Sequence, residues 1–491
     1  LISVFLQLGT AVVSFGQYHF NMSPACSQGY DKILQWRLSE GLGLLQREKI
    51  ADPNNLMPYW LENYADFFRL FYNEDPSDYA AYQTAIDRRL NQMEKGPRQS
   101  PFRLFSMAVL RFQKAAVEVK FGHNWDAGWD FRRSYLLLEE NHTKFPSFTP
   151  DDFYRAAMQV VVGTIPDGYQ WLGNLLGMKG SIKKGMQQME SFLQNKDSIS
   201  LLFHDEAVFF YCYLRFYIEN EKDAVFDFLE NEKADFRNNH LFAYLGANLS
   251  LNNQQSDRAI EIIEHRNTSE AYMKTPVWDF ELAYAKLHHL EADAAMYFER
   301  FLRNFKGRFY VKDALQKLSW YYYLQGDMER AQFYRSLILK RGSLQTEADK
   351  QALKEAKSGS WPNPLLLKSR LLSDGGYYHE AIRLLHGKNY TDFKEIAEQV
   401  EFSYRAGRLY DESGNDEEAL RFYAEAIRLG EGRKEYYAAR AALQSGMIFE
   451  LQGKFTEAVK WYQRCLDMKD HDFKNSLDQR AKAGIGRCRG E

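Results

Sequence analysis

One spacing constrains this chain more than any other feature. Gly407, Tyr410, Gly414, Ala419, Tyr423 and Ala426 follow one another at intervals of 3, 4, 5, 4 and 3 residues. Gly446, Phe449, Gly453, Ala458, Tyr462 and Cys465 repeat those intervals with the same kinds of side chain. Steps of three and four keep residues on one face of a helix. A glycine in the middle of each set marks a turn, because Gly414 or Gly453 enters the left-handed region without cost. Each set therefore reads as two antiparallel helices. Small residues at Gly407 and Ala419, and at Gly446 and Ala458, let the helices approach closely, and the aromatics fill the space beside them. Units of this kind grow along one axis by stacking.

Fainter copies lie upstream. Leu315, Leu318, Tyr322, Gly326 and Ala331 keep the register, as do Trp278, Leu282, Ala294 and Phe298. Ser369, Leu372, Gly376, Ala381 and Leu385 keep it again; Leu245, Gly246 and Ala259 do so with one extra residue, and Ala115, Gly122, Ala127, Phe131 and Ser134 match near the front. These residues resemble the tetratricopeptide repeat, in which a small residue and an aromatic lie on the first helix and A-x3-F on the second. The Pro that closes the family's repeat is missing almost throughout. The resemblance implies an all-α, right-handed solenoid of helix pairs, with regular repeats over 238–491 and an irregular helical region with degenerate pairs over 17–237. It also implies a non-enzymatic scaffold whose first helices line a concave groove for a protein or peptide.

Composition narrows the classes further. The 491 residues carry 63 Lys+Arg against 66 Asp+Glu, a formal charge of −3, which excludes a strongly basic nucleic-acid protein and an acidic tail. Cys26, Cys212, Cys465 and Cys488 show no CxxC spacing and cannot form a disulfide framework in this length. Aromatic residues reach 15%, enough for a large core.

Residues 1–13 are apolar and uncharged, and Ser14 and Gly16 place small side chains three and one positions before a cut ahead of Gln17. This reads as a signal peptide over 1–16 without its basic start, and predicts export, periplasmic or otherwise envelope-associated. A buried first helix in a cytoplasmic protein is the alternative. No segment without charges reaches membrane length. The stretch from Gly163 to Met178 comes nearest, but Pro166 and its glycines break it.

A second resemblance covers Val160–Leu193. Ile165-Pro166, Leu172, Leu175-Leu176-Gly177, Gly180, Gly185 and Met189-Glu190 look like the eukaryotic inclusion-body-clearance family of tetratricopeptide proteins, where a Pro-bearing apolar helix precedes a Gly-rich turn and another helix. It implies an all-helical adaptor. That family is cytosolic, so an export signal departs from it and its partners do not carry over.

No GxxxxGK[ST], GxSxG, HExxH or EF-hand loop occurs, and no cofactor motif. The glycines from Gly163 to Gly180 follow no strand and read as turn and packing residues. His288-His289 would point in different directions on a helix. Phe209-Phe210-Tyr211 and Trp320-Tyr321-Tyr322-Tyr323 read mainly as core. Sequons stand at Asn21, Asn141, Asn248, Asn267 and Asn389.

Carried onto the family's groove positions, the first helices predict a partner surface of Gln316, Trp320 and Tyr323, then Tyr404, Arg408 and Asp411, then Leu443, Met447 and Glu450. Tyr322 falls on the buried side of its repeat, so Trp320 is expected to face the groove. The family's carboxylate-clamp subset uses Lys, Asn and Arg here, which this chain mostly lacks. Two alternatives remain: a glycan-processing helical toroid with aromatic sugar platforms, and a permanent structural subunit of an envelope complex.

Overall fold

The computed structural model describes residues 17–164, 177 and 180–490. The expected signal peptide and most of the Pro- and Gly-bearing stretch between 165 and 179 lie outside the described residues. Among the described residues all regular structure is helical, with 25 α-helices; the only extended pairing is a single bridge between His19 and Asn55. The few prolines are placed where a helix tolerates them. Pro24, Pro76, Pro101, Pro150 and Pro364 each open a helix, where no N–H is needed. Ser23, Asp75, Asp197, Thr346 and Asn363 cap helix starts with side-chain oxygens.

The chain forms two compact units. The first holds the residues up to Leu249 together with Ile262–Val277 and Asn304–Arg308. Its helices pack as hairpins, among them Pro24–Leu34 with Leu38–Ala51, Pro101–Phe121 with Asn124–Lys144, and Pro150–Gly163 with Ile182–Gln194. Glycine permits close crossings in these hairpins: a methyl on Gly185 would lie 2.6 Å from Val160 and 2.7 Å from the Ala156 carbonyl. The packing role expected for Gly163 and Gly180 also holds, since each faces backbone across this hairpin; Gly168 and Gly173 lie outside the described residues. The core is aromatic, with Tyr30, Trp60, Tyr64, Phe105, Phe153, Tyr154 and Phe203 almost fully buried. Glu206 is buried among them. It accepts hydrogen bonds from the hydroxyls of Tyr30 at 2.6 Å, Tyr64 at 3.1 Å and Tyr154. Burial raises the Glu206 carboxyl above its ordinary range, and the tyrosine bonds pull the other way.

The second unit holds Ser250–Glu261, Trp278–Arg303 and Phe309–Glu491. Here the pairs follow the sequence register: Val311–Leu324 with Met328–Ile338, Pro364–Gly375 with Tyr378–Leu385, Ile396–Glu412 with Asp416–Gly430, and Tyr437–Leu451 with Phe455–Asp467. Lys474–Arg489 closes the array. A methyl on Gly407 would meet the Tyr423 ring at 2.6 Å, and one on Gly446 would meet Tyr462 at the same distance. Ala419 and Ala458 are fully buried. Gly414 and Gly453 turn the chain at φ 75° and 71°.

One helix was absent from the repeat register. Glu347–Ser358 sits between two pairs and packs against Val311–Leu324. Its Asp349 caps that earlier helix, accepting from the backbone N–H groups of Tyr310 and Lys312 at 2.9 Å and Asp313 at 3.1 Å. A carboxylate at a helix N-terminus satisfies orphan donors and meets the positive end of the dipole.

Candidate functional site

The surface that the first helices of the second unit share is built from arginines and aromatic rings. Arg370 lies 5.1 Å from the Trp320 ring centroid, with Lys317 at 4.3 Å from the same ring. Arg405 lies 5.8 Å from the Tyr437 ring. Tyr404 packs on Tyr437 at 5.4 Å, and Tyr436 meets Phe473 at 5.2 Å. Such pairs combine apolar contact with attraction between a cation and the face of the ring.

Acidic groups hold most of these arginines. Asp374 stands 3.5 Å from Arg370 and 3.8 Å from Arg408, and Glu412 stands 3.6 Å from Arg408. Glu401 pairs with Arg405. Burial opposes the charge of Arg370, while Asp374 favours it and the balance lies on the charged side. Yet 40% of the Arg370 side chain and 25% of the Arg408 side chain stay accessible. Both arginines therefore stay in contact with solvent while held by these carboxylates.

The nine residues expected to form the partner surface divide into two sets. Tyr323, Arg408, Asp411, Met447 and Glu450 keep partial exposure. Gln316, Trp320, Tyr404 and Leu443 are buried, with Trp320 only 2% exposed. The inserted helix explains the departure at Trp320. Its indole N–H donates to Glu355 at 2.6 Å, and the Gln316 amide donates to the other oxygen of that carboxylate at 2.8 Å. The chain itself thus covers the face where an open Trp320 was expected. Tyr323 is engaged in the same way, stacked on Trp361 at 4.6 Å with its hydroxyl donating to the Pro362 carbonyl. Trp320 and Tyr322 do use different faces, as their spacing requires: the Tyr322 hydroxyl donates to Glu299 at 2.7 Å and its ring stacks on Tyr334.

Asp411 and Glu450 serve the repeats from within. The Tyr423 hydroxyl donates to Asp411 at 2.8 Å, and the Tyr462 hydroxyl donates to Glu450. Arg487 adds a fork to Glu450 at 2.7 and 2.9 Å. Burial pushes the Asp411 carboxyl up to about 6, whereas the Arg487 bonds hold Glu450 below the usual range.

Three arginines of this surface escaped the groove reading: Arg370, Arg440 and Arg480. A signal existed for the first. Arg370 follows the small residue Ser369 as Arg408 follows Gly407, so the register that located the helices also located the arginine.

The histidine pair separates as expected. His288 is buried, its Nδ1 3.0 Å from the Ser256 hydroxyl, and burial lowers its pKa to about 4. His289 stacks on Tyr377. Among the described residues no group of three His, Cys, Asp or Glu could hold a metal ion, and no helix is long and apolar enough to cross a membrane.

Comparison with known proteins agrees with the local geometry. The tetratricopeptide repeat model matches residues 404–435 and 441–476. Among solved structures, the crystal structure of the P58(IPK) TPR domain is similar at 13% identity, covering 95% of this chain and 96% of that one, with a TM-score of 0.21. No curated protein matches. The C-terminal part of the chain carries tetratricopeptide repeats, and their first helices bear the arginine and aromatic surface.

Proposed function

We propose that this chain is a non-enzymatic scaffold that holds a protein or peptide on the first-helix surface of its C-terminal repeats. The observation that carries the reading is that the first helices keep Arg370, Arg408 and Met447 partly exposed, with Arg370 set against the Trp320 ring and Arg405 against the Tyr437 ring. Repeat arrays of this class generally bind proteins, and large aromatics and Arg supply most binding energy at interfaces. The likeness of Val160–Leu193 to the inclusion-body-clearance family supports an adaptor role. The binding surface is the open part of the expected groove, with Arg408 and Met447 retained and Trp320 assigned to the fold.

Affinity purification of the full chain from its native host, followed by mass spectrometry, tests the reading. One or a few partners should copurify with the parent and be lost on Arg408→Gln or Met447→Gln, and circular dichroism should show both variants folded. A clear thermal shift with a sugar or metal, and no partner, would overturn it in favour of an enzyme. Export belongs to the same proposal and rests on residues 1–16: mature protein from the host should begin at or near Gln17.

A further inference from the structure

A cleft in the first unit plays no part in the scaffold reading. It lies beside the hairpin of Pro150–Gly163 and Ile182–Gln194 and holds about 530 Å³. Small-molecule sites have this size, about 300–1,000 Å³, many times what one inorganic ion fills. Gly185 lets the hairpin close. A methyl there would lie 2.7 Å from the Ala156 carbonyl, so the preceding residues, Lys184 and Arg155, come onto the lining of one cleft.

The acids around this cleft already have partners. Asp152, in the lining, is held by Arg155 Nη1 at 3.4 Å and stands 3.5 Å from His142 Nδ1. Glu139 accepts from Arg155 Nε at 2.6 Å. Asp197, beside Thr149, caps the Ser198–Leu202 helix, accepting from the Ile199 and Ser200 N–H groups at 2.9 Å. Asp151 adds no charge at neutral pH, because burial pushes its carboxyl up to about 8 against the pull of the Asn141 amide. Two donors are left over. Among the described residues the Lys184 ammonium meets no acceptor, and Arg155 Nη2 makes no hydrogen bond.

From this we infer that the cleft binds a small organic anion, a polyol carrying one phosphate or carboxylate group whose oxygens bridge Lys184 and Arg155. Both side chains bind such oxygens through charge-assisted hydrogen bonds, and two donors suit a single anionic group. Gln188 and Ser191 offer an amide and a hydroxyl to the hydroxyl groups of the ligand body. Phe192 supplies the apolar part of the lining, too little to hold an acyl chain. The inference is independent of the scaffold reading, whose surface lies in the second unit.

The test is isothermal titration calorimetry of the full chain with myo-inositol 1-phosphate, quinate, myo-inositol and inorganic phosphate. The first three share a hydroxylated six-membered ring and differ in charge. At least one of the two ring anions should bind about tenfold or more tightly than myo-inositol and inorganic phosphate do. Lys184→Gln should weaken that binding by about tenfold, and Ser191→Trp, which fills the cleft, should abolish it. Lys183→Gln lies outside the lining and should leave it unchanged. Lys184 and Ser191 are exposed, so both variants should fold, which circular dichroism checks. Tighter binding of the inositol phosphate assigns phosphate esters, and tighter binding of quinate assigns carboxylates. Equal binding of myo-inositol removes the anion, and equal binding of inorganic phosphate removes the organic body; either overturns the inference. So does the absence of binding by either ring anion at millimolar concentration, or binding that survives both Lys184→Gln and Ser191→Trp. The scaffold reading is judged separately, by the host partner.

Discussion

Both units set a carboxylate against tyrosine hydroxyls, but over different distances along the chain. In the C-terminal repeats Tyr423 reaches Asp411 and Tyr462 reaches Glu450, each 12 residues back, across one helical hairpin. In the first unit Glu206 collects Tyr30, Tyr64 and Tyr154, which lie 176, 142 and 52 residues away. The same chemical device is local and repeated in one place, distant and single in the other. A local device can be copied whenever the hairpin is copied; a distant one must be assembled once, from four helices whose order in sequence gives no spacing to recognise. Loss of one member should therefore spread differently in the two units.

The largest effect expected is from Tyr154→Ala, about 4 kcal/mol through a cavity in the aromatic core and a lost bond to Glu206. Hydrogen exchange should quicken together in Pro24–Leu34, Met57–Asn73, Pro150–Gly163 and His204–Leu214, the helices that supply the network. Tyr462→Ala should cost about 3 kcal/mol, with faster exchange confined to the last two pairs. Equal spread in both would erase the contrast.

Trp320→Ala tests an intermediate case, since its partner Glu355 is 35 residues ahead. Urea unfolding should show a loss of about 3 kcal/mol, because the ring is core and the carboxylate loses its donor. Parent-like stability would return Trp320 to the binding surface. Gly446→Ala should cost about 2 kcal/mol by driving a methyl into Tyr462, and Gly453→Ala about 1 kcal/mol by backbone strain alone. If the two are ranked the other way in thermal melts, the close crossing at Gly446 is wrong.

The smallest effects separate the twin repeats by pH. Asp411 has a folded pKa raised to about 6, so the unfolded chain gives up this proton first as pH rises. Its contribution to stability is full below the ordinary aspartate range and is lost as pH rises through about 6. Asp411→Asn should then gain about 1 kcal/mol on the parent between pH 4 and pH 7. Glu450 is held low by Arg487, so its contribution is present above the ordinary glutamate range and lost as pH falls through the folded value. Glu450→Gln should lose about 1 kcal/mol at pH 7 and match the parent near pH 3. Melting curves of both variants at the two pH values check the opposite signs.

What could be read from sequence follows the same division. Gly407 with Tyr423 and Gly446 with Tyr462 announce their contacts through spacing, because both partners belong to one hairpin. The Glu206 network has no such signature, and neither does the cover over Trp320. Glu347–Ser358 carries ordinary helix formers and no repeat residue, so nothing in it declares which neighbour it packs on. The site shows the same limit. Arg408 and Met447 could be placed by register alone. Which arginines lack a carboxylate partner depends on where every nearby carboxylate is spent, which spacing does not encode.

Asp349 has a consequence for synthesis. The N–H groups it serves belong to Tyr310, Lys312 and Asp313, made up to 39 residues earlier. A ribosome adding about 5–20 residues per second takes about 2–8 s to cover that interval. Until then the nascent Val311–Leu324 helix lacks the Asp349 carboxylate at its start and the Glu355 carboxylate at Trp320. The segment that caps it also brings Glu355 to the indole, so one later stretch of chain completes both at once. The emerging chain thus carries a transient apolar face that matures only when its own downstream helix arrives.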